Sequence, residues 1–304
     1  MGVRDPRACG LYWHGGELVS VTTAFSLLLC RLGPFVGLLL AVISMNSDVL
    51  AADSSPPQRV VSMNLCTDQL AMLVAGPDQL ISVSALAQDP ANSAMADQAQ
   101  EYPANHGRAE EIHLLAPDQV IAGRFSAGAT VSMLRRLDIP VAVFEPATSL
   151  DDVRGNLRRM GEVLGRPQRA DALIEAFDRR LASLRAAGRE GRSADTALYF
   201  PNGYTRGDGT LIGAIVQAAG LDNIAGELGV ERGGHLPLEQ LTLAQPERVI
   251  TGSRGPGHSR AESVMRHPVL DAIAPAGVHR GLGNADWVCG IPQVLDAVER
   301  LASL

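Results

Sequence analysis

Beyond its first fifty residues the chain alternates short apolar runs with longer amphipathic stretches. Arg59 to Met63, Leu80 to Val83, Val120 to Ala122, Val141 to Phe144 and Thr196 to Phe200 read as buried strands. Between the first two runs, Thr67 to Ala75 predicts a helix that stops at Gly76-Pro77. Strands alternating with helical patterns predict an α/β fold with mainly parallel sheets. Gln88 to Asn105 is polar, alanine-rich and without a period, so it reads as a loop. From Leu150 to Ala187 the strand signal disappears. Ala170, Leu173, Ile174, Phe177, Leu181 and Leu184 recur there at three- and four-residue spacing, giving one apolar stripe along a helix. A helix of about 20 residues spans about 30 Å, enough to bridge two lobes.

An internal repeat flanks that helix. Glu110 to Gly123 can be laid on Glu239 to Gly252 without a gap, sharing the pattern E-x-[IL]-x-L-x-x-P-[DE]-x-V-I-x-G. Upstream of each copy lies a second match, Ala75 to Leu80 against Ala219 to Ile224, in the same order. Each copy describes a short helix with an acid in its first turn, a proline stop and a buried strand. Two lobes of the same build, one on either side of the long helix, follow from the repeat.

Composition narrows the chemistry. The 304 residues carry 26 basic and 33 acidic side chains, a formal net charge of −7, and every basic residue is arginine. Without lysine there is no phosphate-binding loop of the G-x-x-x-x-G-K-[ST] type, no kinase lysine and no Schiff-base chemistry. The acidic balance and few aromatics argue against a nucleic-acid partner. There is also no G-x-S-x-G, H-E-x-x-H or C-x-x-C motif, and the histidines show no metal-ligand spacing. At the N-terminus, Arg31, the apolar run Leu32 to Ile43 and the small-residue site ending at Ala51 follow the order of a cleaved secretory signal. The alternative, an uncleaved anchor, places an arginine inside the span at a cost of about 3 kcal/mol. Cleavage after Ala51 leaves two cysteines, Cys66 and Cys289, and one tryptophan, Trp287. The expected organisation is a signal over residues 1–51, a first α/β lobe over 52–148, a helical linker over 149–192 and a second α/β lobe over 193–304.

Arg59-Val60-Val61-Ser62, Asn105-His106-Gly107, the Leu114 to Gly123 run, Ala218 to Ala225 and Pro237-Leu238-Glu239 occur in an order that resembles one family. It is the periplasmic substrate-binding proteins of ABC importers for vitamin B12, ferric siderophores and haem. The resemblance runs from about residue 58 to the end. It implies two Rossmann-like lobes joined by one long rigid helix, with the ligand cleft between them and little hinge closure. It implies a monomeric periplasmic binding protein, not an enzyme. Such a protein has no resident cofactor, and captures an iron- or cobalt-containing small-molecule chelate for delivery to the importer's membrane subunits. It further implies docking through one acid per lobe, at Glu110, with Glu111 beside it, and at Glu239. The plainer role for these acids is to favour the dipole of a short helix.

Ligand contacts are expected from loops at the carboxyl ends of the strands. In the first lobe these are Asn64, Cys66, Thr67, Tyr102, His106, Arg124 and Phe125; in the second, Tyr204, Arg206, His235, Arg254 and Trp287. Aromatics suit a flat macrocycle or catecholate and arginines its anionic groups. One rival is a haem or metal-ion binder with Tyr102, His106 or His235 as ligand. The other is an exported enzyme built on Cys66, at a helix start that favours a thiolate. A bond between Cys66 and Cys289 would tie the lobes together, so both are expected as free thiols or ligand neighbours.

Overall fold

In a computed structural model, which describes residues 55–188, 194–252 and 259–304, the apolar runs form parallel strands. The expected signal segment lies outside the described residues. β1 (Val60–Ser62), β2 (Leu80–Ser84), β3 (Ala104–Asn105), β4 (Gln119–Gly123) and β5 (Val141–Phe144) make a sheet in the order β3-β2-β1-β4-β5. β6 (Asp195–Tyr199), β8 (Asp222–Asn223), β10 (Arg248–Gly252) and β11 (Val278–Leu282) make a second, in the order β11-β10-β6-β8. β7 (Tyr204–Arg206) and β9 (Gly233–His235) form a separate antiparallel ribbon with Tyr204 opposite His235.

The second lobe repeats the topology of the first. β6 stands for β1, β8 for β2, β10 for β4 and β11 for β5. In both lobes the strand order reverses beside the first strand, and the crevice beyond the strands' carboxyl ends at that point is where open α/β sheets bind ligands. The repeat acts through the same local physics twice. Ile112 and Leu241, fully buried, fix the helices Ala109–Leu114 and Leu238–Ala244 to their sheets. Ala116 and Gln245, equivalent in the repeat, take left-handed φ values of 45° and 47° just before Pro117 and Pro246. A left-handed residue ends a helix, and the proline prevents its renewal.

Two sequence expectations are refined. The stretch expected as a loop contains one helical turn (Ala96–Ala99) and β3, and the Gln88 amide donates to the carbonyls of Ala99 and Tyr102 at 3.1 and 3.0 Å. These elements are too short to show a period. The helical linker is two helices, Leu150–Val163 and Pro167–Gly188. Gly165, at φ 65°, ends the first and Pro167 opens the second. Ala170, Ile174, Phe177 and Leu181 of the stripe are buried. Ile174, Phe177 and Leu181 belong to one core that also holds Leu70 and Phe144 of the first lobe and Leu198, Ile212 and Val298 of the second. The lobes therefore share apolar interior instead of meeting at a hinge. No helix among the described residues is long and apolar enough to cross a membrane.

The free-thiol expectation is overturned. Cys66 and Cys289 form a disulfide across the lobe boundary, with their Cα atoms 5.0 Å apart and 223 positions between them in sequence. The bond does not obstruct the cleft because the lobes already touch there. Beside it, a β-carbon on Gly290 would lie 2.2 Å from the Ala147 methyl, so only glycine allows this approach.

Under the ends of β1, β2 and β3 lies a buried polar cluster. The Asn105 amide donates to the Ser62 carbonyl and the Ser82 hydroxyl, and the Ser62 hydroxyl bonds that of Thr67. Asp68, with no exposed surface, accepts on one carboxylate oxygen from the Ser84 amide and hydroxyl, while its other oxygen has no partner. Burial pushes its pKa up to about 6, and the bonds from Ser84 offset only part of that.

Two outcomes are expected. Replacing Cys66 and Cys289 with alanine in the protein lacking residues 1–51 lowers stability by about 2–5 kcal/mol in denaturant unfolding, through the long chain segment the bond closes. Unreacted parent protein under non-reducing thiol alkylation checks the bond itself. For Asp68, the folded protein holds the proton more tightly than the unfolded chain does. Its contribution to stability is therefore lost as pH rises from about 4 to about 6, amounting to about 3 kcal/mol. Asp68→Asn should be more stable than the parent at pH 7.5, with the difference shrinking towards pH 4.5; a pH-independent difference refutes the assignment.

Candidate functional site

The first lobe builds its side of the cleft around the start of the helix Leu65–Val74. The Asn64 side chain accepts the backbone amides of Cys66 and Thr67 at 3.1 and 3.4 Å, which caps the helix. Gly123, at the end of β4, packs against that side chain; a β-carbon there would stand 2.8 Å from it. A pocket of about 210 Å³ opens between them, with Asn64, Cys66, Arg124 and Phe125 on its wall. Val288 and Gly290 close it from the second lobe. Arg124 pairs with Glu145 at 3.1 Å, but both side chains are about two-thirds exposed, so the pair is weak and the guanidinium stays available. Phe125 is 85% exposed, which leaves an aromatic face in water at the pocket mouth.

The second lobe contributes a stack. The Arg206 guanidinium lies 4.9 Å from the centre of the Tyr204 ring and 5.4 Å from that of Trp287. Trp287 in turn packs on Phe200 at 6.0 Å between ring centres. Such contacts are worth about 0.5–2 kcal/mol each and need the planar guanidinium. Among the described residues Arg206 forms no ion pair with a carboxylate, so its charge is held in place but not neutralised. Val288, next to Trp287, lines the pocket, so pocket and stack adjoin through one segment.

The other expected contacts fare differently. Thr67 lines the pocket, but it is 2% exposed and its hydroxyl is bonded to Ser62 and the Asn64 carbonyl, so it positions the helix start. Cys66 lines the pocket as half of the disulfide, so it offers no thiol to a ligand and no nucleophile to an enzyme. Tyr102 is a correction: it precedes β3, pairs with no cleft residue and lines a shallow hollow with Arg59, Gly76 and Leu80, at the opposite ends of the strands. Burial, followed by the Glu101 charge, raises its pKa. His106 is exposed at the end of β3, outside the pocket, with Nδ1 3.1 Å from Glu111. His235 is exposed on the ribbon opposite Tyr204. Arg254 lies outside the described residues. At the carboxyl ends of β10 and β11, where it was expected, there is a second hollow of about 360 Å³ with Arg266 and Arg280 on its wall, the latter bonded to Asp271. No three His, Cys, Asp or Glu converge on a metal position among the described residues.

Glu145, Asn156 and Phe200 are among the cleft residues that the sequence did not single out. Glu145 and Phe200 were within reach of the strand-end rule, since each directly follows a strand, β5 or β6.

The three acids also separate. Burial pushes the Glu111 carboxyl up, but bonds from the His106 amide and ring and from Arg108 outweigh this and hold it below its ordinary value. Glu110, on the outside of the same turn, is exposed and has no ion-pair partner among the described residues. Glu239 is likewise exposed and close enough to add its charge to burial in raising the Tyr199 phenol.

Known proteins share this fold. A solved vitamin B12-binding protein of Vibrio cholerae superimposes with a TM-score of 0.62 at 21% identity, covering 82% of this chain and 96% of that one. A haem-binding protein of Roseiflexus gives 0.66 at 20% identity over 81% and 97%. In sequence, a vitamin B12-binding protein of Pectobacterium carotovorum is 27% identical over 253 residues, 81% of this chain and 88% of that protein. A cobalamin-binding protein of Halobacterium salinarum is 29% identical over 201 residues, 65% of this chain, which spans only 54% of that relative's length. The family model described as periplasmic binding protein matches residues 60–280, from β1 to the middle of β11, and so takes in both repeats, the bridging helix and most of the cleft. With two repeated lobes, a shared core and a crevice at both switch points, the chain belongs to the periplasmic binding protein family.

Proposed function

We propose that the protein is exported, binds a chelated metal compound, a corrinoid or a ferric siderophore, in its cleft as a monomer, and hands it to the membrane subunits of an ABC importer. No bond is made or broken in that cycle. The observation that carries the reading is Arg206, clamped between Tyr204 and Trp287 with its charge unneutralised beside a pocket whose mouth exposes Phe125. Cation and aromatic faces together suit a large, flat, anionic guest. The pocket of about 210 Å³ takes one edge or group of such a guest, leaving the rest against Phe125 and the stack. Glu110 and Glu239 are the docking acids of this reading, because Glu111 is engaged by His106. The names of the relatives, vitamin B12- and cobalamin-binding, support a corrinoid as the first guest to try.

The haem reading keeps one of its three expected ligands. Tyr102 stands at the wrong end of its strand and His106 is tied to Glu111, while His235 remains exposed next to Tyr204 on the ribbon.

Trp287 is the sole tryptophan once residues 1–51 are removed, so it reports directly on the cleft. Titration with cyanocobalamin or ferrichrome should quench its fluorescence saturably. Arg206→Ala should weaken binding about tenfold or more, and Phe125→Ala several-fold. If neither compound quenches, while haemin gives a Soret band that His235→Ala abolishes, the chelate reading gives way to haem.

A further inference from the structure

Among the described residues only three large hydrophobic side chains are more than four-fifths exposed: Phe125, Leu114 and Leu243. Phe125 stands at the pocket mouth. The other two have no place in the cleft, and they are the same position of the internal repeat. Leu114 closes the helix Ala109–Leu114, four residues after Glu110; Leu243 lies in the helix Leu238–Ala244, four residues after Glu239. Their exposures, 84% and 85%, match as closely as those of their buried counterparts Ile112 and Leu241, both 0%.

One exposed leucine needs no explanation, since soluble proteins show many. Recurrence at equivalent sites of two lobes whose cleft residues have diverged is a different matter. On a helix, residues four apart are neighbours on one face, with β-carbons about 6 Å apart. Each lobe thus presents the same two-part feature, a carboxylate without an ion-pair partner and, one turn along, a bare leucine. Each of the two helices leads into the start of a repeat strand, so it runs against the sheet and its glutamate end lies towards the cleft.

The geometry points to Leu114 and Leu243 as the apolar half of a duplicated docking patch. The occupant is the pair of identical membrane subunits of the importer proposed above, each offering an apolar pocket rimmed by arginine. The inference rests on the importer reading and adds to it. The carboxylates steer and align the complex, and the leucines, buried on contact, slow its dissociation. A two-fold partner is what a duplicated patch fits, because a single asymmetric partner places no demand on both lobes at once.

The test is docking of the full chain, its leader removed, onto lipid nanodiscs carrying the importer's membrane-subunit pair, measured by interferometry at low and high salt. Leu114→Ser with Leu243→Ser should weaken docking at least tenfold, mainly through faster dissociation, with the salt dependence unchanged. Glu110→Gln with Glu239→Gln should weaken it while flattening the salt dependence. Each single leucine variant should show an intermediate loss. All four side chains are exposed, so unchanged thermal unfolding and ligand affinity are expected of every variant. If the leucine pair docks like the parent while the glutamate pair fails, the leucine inference is overturned and the importer reading stands. If neither pair matters, or the parent does not dock, both fall. Two further outcomes overturn the inference by naming another occupant: leucine-dependent binding to empty nanodiscs of the same lipid, or leucine-dependent self-association in sedimentation.

Discussion

The bond between Cys66 and Cys289 joins the helix start beyond β1 to the segment beyond β11, and so closes the floor of the cleft with a covalent link. Its neighbours depend on where it sits. Cys66 is held by the Asn64 cap, and Asn64 is pressed by Gly123, whose next residues, Arg124 and Phe125, form the pocket wall. On the other side Cys289 fixes Val288, which closes the pocket, and Trp287, on which Arg206 stacks. One tie thereby sets the distance between the pocket wall and the stack. Gly290 against Ala147 makes the approach possible, since any side chain there would hold the lobes apart.

The shared interior works in the same direction. Ile174, Phe177 and Leu181 of the bridging helix contribute to a core that runs from Leu70 in the first lobe to Val298 in the second. Opening the lobes would expose that core at about 25 cal/mol per Å² of apolar surface, in addition to breaking the tie. A cleft of this kind is largely preformed. It spends little binding energy on ordering itself, and in exchange it cannot wrap its guest. Phe125 and Tyr204 accordingly keep exposed aromatic faces.

How much of this was legible in the sequence depended on the reach of each signal. The repeat and the apolar runs specify local structure, so the strands, the lobe duplication and the long helix followed from them. The cross-lobe bond did not, because a separation of 223 residues carries no geometry. The same applies to the stack, which joins β7 to a residue beyond β11. Tyr102 was misplaced for a smaller reason. Val83 pairs with Ala104 and Ser84 with Asn105, so the register of a two-residue strand puts Tyr102 at the far end of the sheet. No periodicity reveals a strand that short. Glu110 and Glu111 were indistinguishable as adjacent acids until the turn of the helix aimed one at His106 and the other at solvent.

The two lobes have kept some positions alike and let others diverge, and the division follows their surroundings. Glu110 and Glu239, Ile112 and Leu241, Leu114 and Leu243, and the left-handed Ala116 and Gln245 all correspond in environment, at the surface or against the sheet. At the carboxyl ends of the strands, by contrast, Met63-Asn64-Leu65 after β1 corresponds to Phe200-Pro201-Asn202 after β6. Packing alone accounts for Ile112 and Leu241, since each must fill a sheet face. It does not account for Leu114 and Leu243, which stand exposed among the described residues. A duplicated outside and an unlike inside are what a binding protein needs if its partner has two-fold symmetry and its ligand has none. The charged side chains obey the same division: Arg206 is fixed by the aromatic rings of Tyr204 and Trp287, whereas Glu110 and Glu239 are exposed and form no ion pair among the described residues.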